Sequence, residues 1–330
     1  MVREISGDSF DELLYQSLGQ LIREGLAVRP RGHETRELES VVLELRDPRD
    51  RLTTLPHRGA NVFGTIADTL WVLAGRNDLE FPARFVPRLR DYSDDGVTLR
   101  GAYGPRLRKW DGVDQLVAAY DRLREDPESR RAVVSLWDPA RDATVESKDI
   151  PCNNWLQFTV REGRLNLKVV SRSMDIIWGA TINVFEWTVL QELVAHWLGT
   201  GIGTYWHFIG SLHIYEKHLR RAERILAEPF VRKPKAPLAI AIDLEELDSD
   251  LHLAIGAAIG PENGNRPRSP WLSTWASLLR CHVAHRAGDI EREKKSLLGL
   301  PDCDVVREAR TFLSRAAARA SSDPTTEAVD

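Results

Sequence analysis

In the segment PCNNWLQFTVREGRLNLKVVSRSMDIIWGATIN, residues 151–183, two strand-like runs are separated by a turn sequence and bordered by polar residues. The runs Trp155 to Val160 and Leu165 to Ser171 either alternate between apolar and polar residues or are continuously apolar, which is typical of β-strands. Glu162-Gly163 between them has the sequence of a short hairpin turn. The segment therefore predicts a β-hairpin with polar residues at its strand ends.

The flanking sequence predicts further strands and helices. Asn183 to Leu198 is apolar on nearly every face, which is typical of a helix buried in a core. Ser9 to Gly25 has a capping serine, apolar residues at helical spacing and a terminal glycine, which together predict a helix. Periodicity predicts helices at Val62–Leu73, Gly112–Glu125 and Leu212–Ala227, and strands at Ser40–Leu45, Arg131–Trp137 and Thr204–Ser211. This mixture predicts an α/β fold in which a mixed β-sheet is layered with helices.

The composition changes near Pro234 to Pro237, and the sequence beyond it is mainly helical in pattern. Helices are predicted at Trp271–Ala287 and Asp304–Ala318. We therefore predict one mixed α/β domain over residues 1–235 and a helical C-terminal extension over residues 236–330. Ser321 to Asp330 offers little apolar surface to a core, so we expect this tail to be disordered.

The overall composition excludes several classes of protein. The chain has 330 residues, with 45 Lys and Arg against 49 Asp and Glu and a formal net charge of -4, so no global positive field attracts nucleic acid or anionic lipid. No apolar run approaches the roughly 18–20 residues of a membrane span, and the first residues lack the apolar segment of a signal peptide. Cys152, Cys281 and Cys303 are odd in number and far apart, which argues against a disulfide framework or a zinc site. We expect a cytoplasmic protein with no metal, no membrane partner and no nucleic-acid partner.

The polar residues at the strand ends suggest a chemistry. Cys152 follows a proline between two predicted strands, and arginines occur at neighbouring strand ends, at Arg130-Arg131 and at Arg172. Cationic neighbours favour a thiolate, which is a nucleophile, and arginines bind phosphate through paired hydrogen bonds. The alternative is that Cys152 only fills space in the core, as most isolated buried cysteines do.

The order and spacing of these motifs resemble the thymidylate synthase family. The matching elements, in chain order, are Arg130-Arg131, Pro151-Cys152, Gln157-Phe158, Arg172-Ser173 with Asp175, Gly179 with Asn183, and His213 with Tyr215. Looser matches are Arg31 with Thr35, Leu70-Trp71-Val72-Leu73, and Tyr103-Gly104 with Trp110. The resemblance covers about residues 9–225 and leaves the last hundred or so unmatched. It implies a thymidylate-synthase-like fold, with residues 1–235 as the catalytic domain, and a homodimer with shared active sites.

The resemblance also implies a reaction. Cys152 adds to carbon 6 of a pyrimidine nucleoside monophosphate, and carbon 5 then attacks the one-carbon unit of 5,10-methylenetetrahydrofolate. Tyr103 assists removal of the proton from carbon 5, and Asp68, where the family has glutamate, organises water near the base. The matched residues are suited to this reaction, because phosphate binding orients the nucleotide and nearby arginine charge activates the thiol.

The remaining matched residues are expected to bind the two substrates. Arg31 and Arg172, with Arg130 and Arg131 from the second subunit, hold the phosphate, and Ser173 supports that region. Asn183 reads the base edge, and His213 and Tyr215 hold the sugar hydroxyl. Asp175 contacts the pterin ring of the folate.

Departures from the family pattern favour hydroxymethylation over methylation. Ser211-Leu212 replaces the family's Asp-Thr, which resembles the phage deoxycytidylate hydroxymethylases, a branch that adds water to the exocyclic methylene instead of reducing it. Leu89 replaces a tryptophan that stacks near the folate, with Tyr92 at the second aromatic position, so water is less well excluded. A reducing thymidylate synthase is the first alternative. The second is a non-catalytic nucleotide- or RNA-binding protein on the same scaffold.

The base and the sugar stay open at this point. Hydroxymethylases that act on cytosine have Asp where this chain has Asn183. An amide can pair with the O4 and N3–H edge of uracil, or with cytosine after a flip, so Asn183 favours uracil without excluding cytosine. Nothing in the sequence distinguishes ribose from deoxyribose.

Overall fold

The computed structural model describes residues 2–261 and 265–322, with no side-chain description for residues 317–322. The chain forms two compact units. The first, which we call the sheet unit, contains the residues up to Gly59, Pro105–Glu146 and Ile150–Pro234. The second, the helical unit, contains Ala60–Gly104, Ser147–Asp149 and the residues from Lys235 onward. One junction thus lies beside the predicted boundary at residue 235, and the assignment of residues 1–235 as the catalytic domain stays a prediction.

The sheet unit is built on seven strands. They are β1 (Arg3–Gly7), β2 (Leu26–Val28), β3 (Thr35–Leu45), β4 (Val133–Ser135), β5 (Asn153–Arg161), β6 (Arg164–Asp175) and β7 (Gly201–Tyr215). Six of them follow the order β1-β3-β7-β6-β5-β4, and β2 pairs with β3. The pairs β1–β3 and β6–β7 are parallel and the others antiparallel, which confirms a mixed sheet. The predicted hairpin is β5–β6, joined at Glu162-Gly163.

Pairing is interrupted along one line across the three central strands. The register of β3 with β7 passes over Ser40 and Gly210, and that of β6 with β7 passes over Arg172. Ser40 has φ of 56°, in the left-handed region, and a Cβ at Gly210 would lie 2.6 Å from the Arg172 carbonyl oxygen. Only glycine permits this close approach of two backbones. On one side of the line the odd-numbered residues of β7 are core, and on the other they line a polar surface.

Helices cover the sheet. In the sheet unit they are α1 (Phe10–Glu24), α4 (Gln115–Glu125), the short α5 (Pro139–Asp142), α6 (Gly179–Leu198) and α7 (Leu219–Leu226); α3 (Tyr103–Arg108) spans the junction. The Ser9 hydroxyl accepts a hydrogen bond of 3.1 Å from the Glu12 N–H, so the predicted cap of α1 is confirmed. The predicted buried helix is α6, which starts at Gly179 and ends at Gly199 with φ of 62°. It packs on β6 and β7.

The predicted helix Leu212–Ala227 is wrong in its first part. Strand β7 continues to Tyr215, and α7 begins only at Leu219. Leu212 and Ile214 are fully buried, whereas His213 and Tyr215 between them are partly exposed, which is the two-residue period of a strand. Pairing with residues 35–38 of β3 outweighs the helical periodicity of this short segment.

The helical unit combines residues from two parts of the chain. Its helices are α2 (Val62–Leu73), α8 (Leu244–Ile259), α9 (Pro270–Ala287), α10 (Ile290–Leu297) and α11 (Asp304–Ser322). Helix α2 packs against α8, α9 and α11, which confirms helices in the C-terminal region. Most of the tail predicted to be disordered, residues 323–330, lies outside the described residues. Across the described part of the chain, no helix has the length and apolar character needed to cross a membrane.

Candidate active site

Cys152 lies immediately before β5, on a loop held by Arg172. The Arg172 guanidinium donates through Nε to the carbonyl of Pro151 at 2.9 Å and through Nη2 to that of Ile150 at 2.9 Å. The backbone N–H of Arg172 donates to the Cys152 carbonyl at 2.9 Å. Asn153, the residue after Cys152, is fully buried, whereas Cys152 itself is partly exposed. The loop therefore presents the thiol at the surface with its backbone fixed from β6.

The Cys152 thiol has a hydroxyl partner. Ser173 Oγ donates to Cys152 Sγ at 3.8 Å, and Arg172 Nη1 donates to the same Oγ at 3.3 Å. A hydroxyl that donates to sulfur can stabilise negative charge that develops on it during a reaction. The geometry is thus suitable for a nucleophilic cysteine.

Asp175 ends β6 and faces the same polar surface. Its carboxylate accepts hydrogen bonds from the N–H of Ile177 at 2.9 Å and of Trp178 at 3.4 Å. Burial raises the pKa of Asp175, against the opposing effects of these N–H groups and of the nearby His213 and Arg58. A carboxyl oriented by backbone has unused lone pairs that can accept hydrogen bonds from a ligand.

His213 of β7 stands between residues of the two neighbouring strands. In the sheet register it is opposite Asp175 of β6 on one side and Glu37 of β3 on the other. Its Nδ1 is 3.5 Å from the Ser211 carbonyl oxygen. Ser211 Oγ in turn donates to Glu37 Oε2. The central strands therefore bring two carboxylates, an imidazole and a hydroxyl to one polar surface.

Tyr215 extends this surface toward the loop that carries Arg31. The Tyr215 ring lies edge-on to the His213 ring at 5.4 Å between centroids and to His33 at 6.1 Å. Arg31, two residues before His33, is exposed and has φ of 51°. The structure thus brings the Arg31 loop beside the Tyr215 end of the surface.

Asn183 lies in the second turn of α6. Its side chain is partly exposed, and among the described residues its amide has no hydrogen-bond partner. The corner before α6 is held by the buried Arg58, which donates to Thr181 Oγ1 at 2.8 Å and to the Ile177 carbonyl. The Arg58 guanidinium also lies 5.2 Å from the centroid of the Trp178 ring.

Other predicted site residues are not brought to Cys152 within the sheet unit. Arg130 and Arg131 precede β4 and are exposed. Asp68 and Tyr103 belong to the helical unit. Asp68 is the only residue of α2 that is not buried, so this carboxylate is presented by a helix that is otherwise entirely core. Their predicted roles stay predictions.

Sequence reasoning missed Glu37 and Arg58. Glu37 could not be found from periodicity, because Thr35 to Glu39 contains a single apolar residue, Leu38, and shows no alternation that would extend the predicted strand Ser40–Leu45. Arg58 lies in a loop rich in glycine and proline neighbours, and nothing in the sequence distinguishes it from a solvated arginine.

A sequence model described as thymidylate synthase matches residues 15–252. The chain belongs to the thymidylate synthase family. The predicted family is therefore confirmed, and so is the α/β fold that the resemblance implied, whereas the roles of the individual site residues stay predictions.

Three relatives of this thymidylate synthase family member are deoxyuridylate hydroxymethyltransferases of phages. The protein of Bacillus phage SP01 is 36% identical over 64% of this chain and 58% of its own length. That of Pseudomonas phage M6 is 42% identical over 53% of this chain and 50% of its own length. That of Delftia phage PhiW-14 is 32% identical over 79% of this chain and 82% of its own length. The chain thus spans 58% and 50% of the length of the first two relatives.

Proposed function

We propose that the chain transfers a hydroxymethyl group to carbon 5 of deoxyuridine monophosphate. The observation that carries the proposal is the contact of Ser173 Oγ with Cys152 Sγ at the edge of the surface that contains Asp175 and His213. The three phage relatives support the choice of hydroxymethyl transfer, of uracil and of deoxyribose, because each is a deoxyuridylate hydroxymethyltransferase. The amide of Asn183 is compatible with this base, because it can pair with O4 and N3–H of uracil together.

Three residues of the chain, Cys152, Arg172 and Ser173, have separate roles in the proposed reaction. The Cys152 thiolate adds to carbon 6, and the electron pair of the carbon 5–carbon 6 double bond moves toward O4, which makes carbon 5 nucleophilic. Arg172 holds the Cys152 loop and contributes positive charge to the phosphate, and Ser173 stabilises the thiolate by its hydrogen bond. After carbon 5 has gained the one-carbon unit and lost its proton, the bond between that unit and the folate nitrogen breaks and tetrahydrofolate leaves. Water then adds to the one-carbon unit and supplies the hydroxyl group, and Cys152 is expelled as the carbon 5–carbon 6 double bond is restored.

The residues present fit the second substrate, methylenetetrahydrofolate. The Asp175 carboxylate is fixed by the N–H groups of Ile177 and Trp178 and keeps lone pairs for the N–H donors of a pterin ring. Methylenetetrahydrofolate supplies a one-carbon unit at the oxidation level of formaldehyde, so no reductant is needed for a hydroxymethyl product. Nucleotides and reduced folates are cytoplasmic metabolites, and we place the activity there.

We further propose a homodimer that shares its sites. One face of the sheet carries apolar side chains that are partly exposed: Val42, Val133, Trp155, Val170, Trp206 and Phe208. Contiguous apolar patches of this kind mark protein interfaces. Arg130 and Arg131 are exposed and directly precede β4, whose Val133 belongs to this face. In the proposed dimer these two arginines bind the nucleotide phosphate of the second copy.

Mass spectrometry of the product tests the proposal. The chain is incubated with methylenetetrahydrofolate and, in separate reactions, with dUMP, dCMP, UMP and CMP, and C152A serves as the control. We expect 5-hydroxymethyl-dUMP and tetrahydrofolate from the wild-type chain and no product from C152A. A methyl product with dihydrofolate would show a reducing thymidylate synthase instead. Nucleotide binding without any product would show a binding protein on this scaffold.

A further inference from the structure

Glu37 of β3 is a charged residue of the polar surface to which the proposed reaction assigns no role. It is partly buried, and its Cα is the register partner of His213 on β7. Residues opposite each other in an antiparallel pair have Cβ atoms about 4.5–5.5 Å apart and project from the same face. Glu37 and His213 are therefore neighbours on the face that also carries Asp175.

The two oxygens of the Glu37 carboxylate are in different situations. Oε2 accepts the hydrogen bond from Ser211 Oγ, which fixes the carboxylate against β7. Oε1 has no hydrogen-bond partner among the residues that the structure describes. One oxygen is thus anchored, and the other is left to accept a hydrogen bond beside His213.

Ser211 stands where the family pattern has an aspartate, two residues before His213. In this chain the carboxylate comes instead from the adjacent strand, with Ser211 as its hydrogen-bond donor. A negative charge is therefore kept next to the imidazole although the family position has lost it.

We propose that Glu37 is a specificity-determining residue that accepts a hydrogen bond from the sugar hydroxyl lying against His213. This inference rests on the proposed nucleotide substrate. A hydroxyl held between an imidazole and a carboxylate donates to the carboxylate and accepts from the imidazole N–H, so both of its hydrogen-bonding functions are satisfied. A nucleotide without that hydroxyl leaves the anchored carboxylate without its partner and binds less well.

The test compares the binding of dUMP and of 2′,3′-dideoxyuridine monophosphate by calorimetry. We expect the wild-type chain to prefer dUMP, and E37Q to lose about tenfold or more of its dUMP affinity with no change for the dideoxy nucleotide, because a charge-assisted hydrogen bond is lost. E223Q is the control, since Glu223 is exposed on α7 and lies outside the strands, and it should bind both nucleotides as the wild type does.

A second variant distinguishes a local effect of E37Q from a loss of folding. In the double variant E37S/S211D the carboxylate returns to β7, and we expect it to recover the preference for dUMP that E37Q loses. Equal weakening of both nucleotides in E37Q would show that Glu37 only supports the fold and would overturn the inference. Tight dUMP binding that does not depend on the hydroxyl would overturn it while leaving the proposed function intact. Absence of dUMP binding by the wild-type chain would overturn both.

Discussion

Arg172 is hydrogen-bonded through Nε to the carbonyl oxygen of Pro151, the residue before the candidate nucleophile, at 2.9 Å. Because Nη2 binds the preceding carbonyl, of Ile150, at 2.9 Å, one guanidinium fixes two consecutive peptide groups of the Cys152 loop. The same side chain is the expected phosphate ligand. Nucleotide binding and thiol placement are thus linked through a single residue.

We expect R172K to lower kcat/KM by about a hundredfold, because a lysine ammonium cannot hold two carbonyls and a phosphate in a planar, forked geometry. Steady-state kinetics and the rate of Cys152 alkylation by iodoacetamide measure the two functions separately. R164K on the same strand is the control, since Arg164 is exposed and distant in sequence from the loop. An unchanged alkylation rate in R172K would contradict the anchoring role.

We expect S173A to slow alkylation of Cys152 by about tenfold, because a hydrogen bond to an ionised group is lost. The contact at issue is the one of 3.8 Å between Ser173 Oγ and Cys152 Sγ. S135A removes an exposed hydroxyl of β4 and should leave the rate unchanged. Equal rates in S173A and the wild type would mean that this hydroxyl does not act on the thiol.

We expect L89W to shift the product from hydroxymethyl toward methyl, if the aromatic residue at this position excludes water as the family resemblance implies. Leu89 is partly exposed in the helical turn Pro87–Tyr92, so an indole can be accommodated there. The product ratio is measured by mass spectrometry with dUMP as substrate. V97W places an indole at an exposed position of the same unit and should not change the ratio. An unaltered product ratio in L89W would contradict the prediction that water exclusion at this position determines the product.

We expect F208E to convert a dimer into a monomer, because Phe208 is 39% exposed at the centre of the apolar sheet face and a buried carboxylate there would be unpaired. Sedimentation velocity of the wild type and the variant measures the change. V231E is the control, since Val231 is 72% exposed and lies outside the strands. A wild-type chain that sediments as a monomer would contradict the shared-site dimer.

The free energy of unfolding should decrease as the pH is lowered, because of His207. This histidine is fully buried between Tyr205, whose hydroxyl is 2.8 Å from Nδ1, and Ser171, whose hydroxyl is 3.0 Å from Nε2, and burial lowers its pKa to about 3. The unfolded chain, in which histidine has a pKa of about 6.5, binds the proton first. The free energy of unfolding therefore decreases as pH falls from about 6.5 toward 3, by up to about 1.4 kcal/mol per pH unit from this group.

Urea unfolding between pH 4 and 7 measures this dependence. H207Q should be less stable at pH 7 and should show a shallower decrease toward pH 4, whereas H252Q, at an exposed histidine, should follow the wild type. The buried His282, whose pKa burial lowers to about 4, adds the same contribution to every variant. A slope that is equal in H207Q and the wild type would mean that His207 is not the responsible group.

Local sequence patterns specify the strands and helices whose periodicity is strong, and the sequence also specifies the order of the family's motifs. Residues 62–73 form the predicted helix at its predicted limits, and the β5–β6 hairpin was evident from its alternation and turn, because these patterns are local. The segment 212–215 was mistaken for helix because four residues are too few to separate the two periods. Only its pairing with β3 decides it.

The tertiary structure alone decided which side chains meet. Glu37 and Ser211 are far apart in the chain, and the strand register that brings them together depends on long-range pairing of β3 with β7. The line of interrupted pairing through Ser40, Gly210 and Arg172 likewise exists only once three strands are side by side. Local propensity determines each strand, but the register between strands is set by packing of the whole sheet, and this register makes the site.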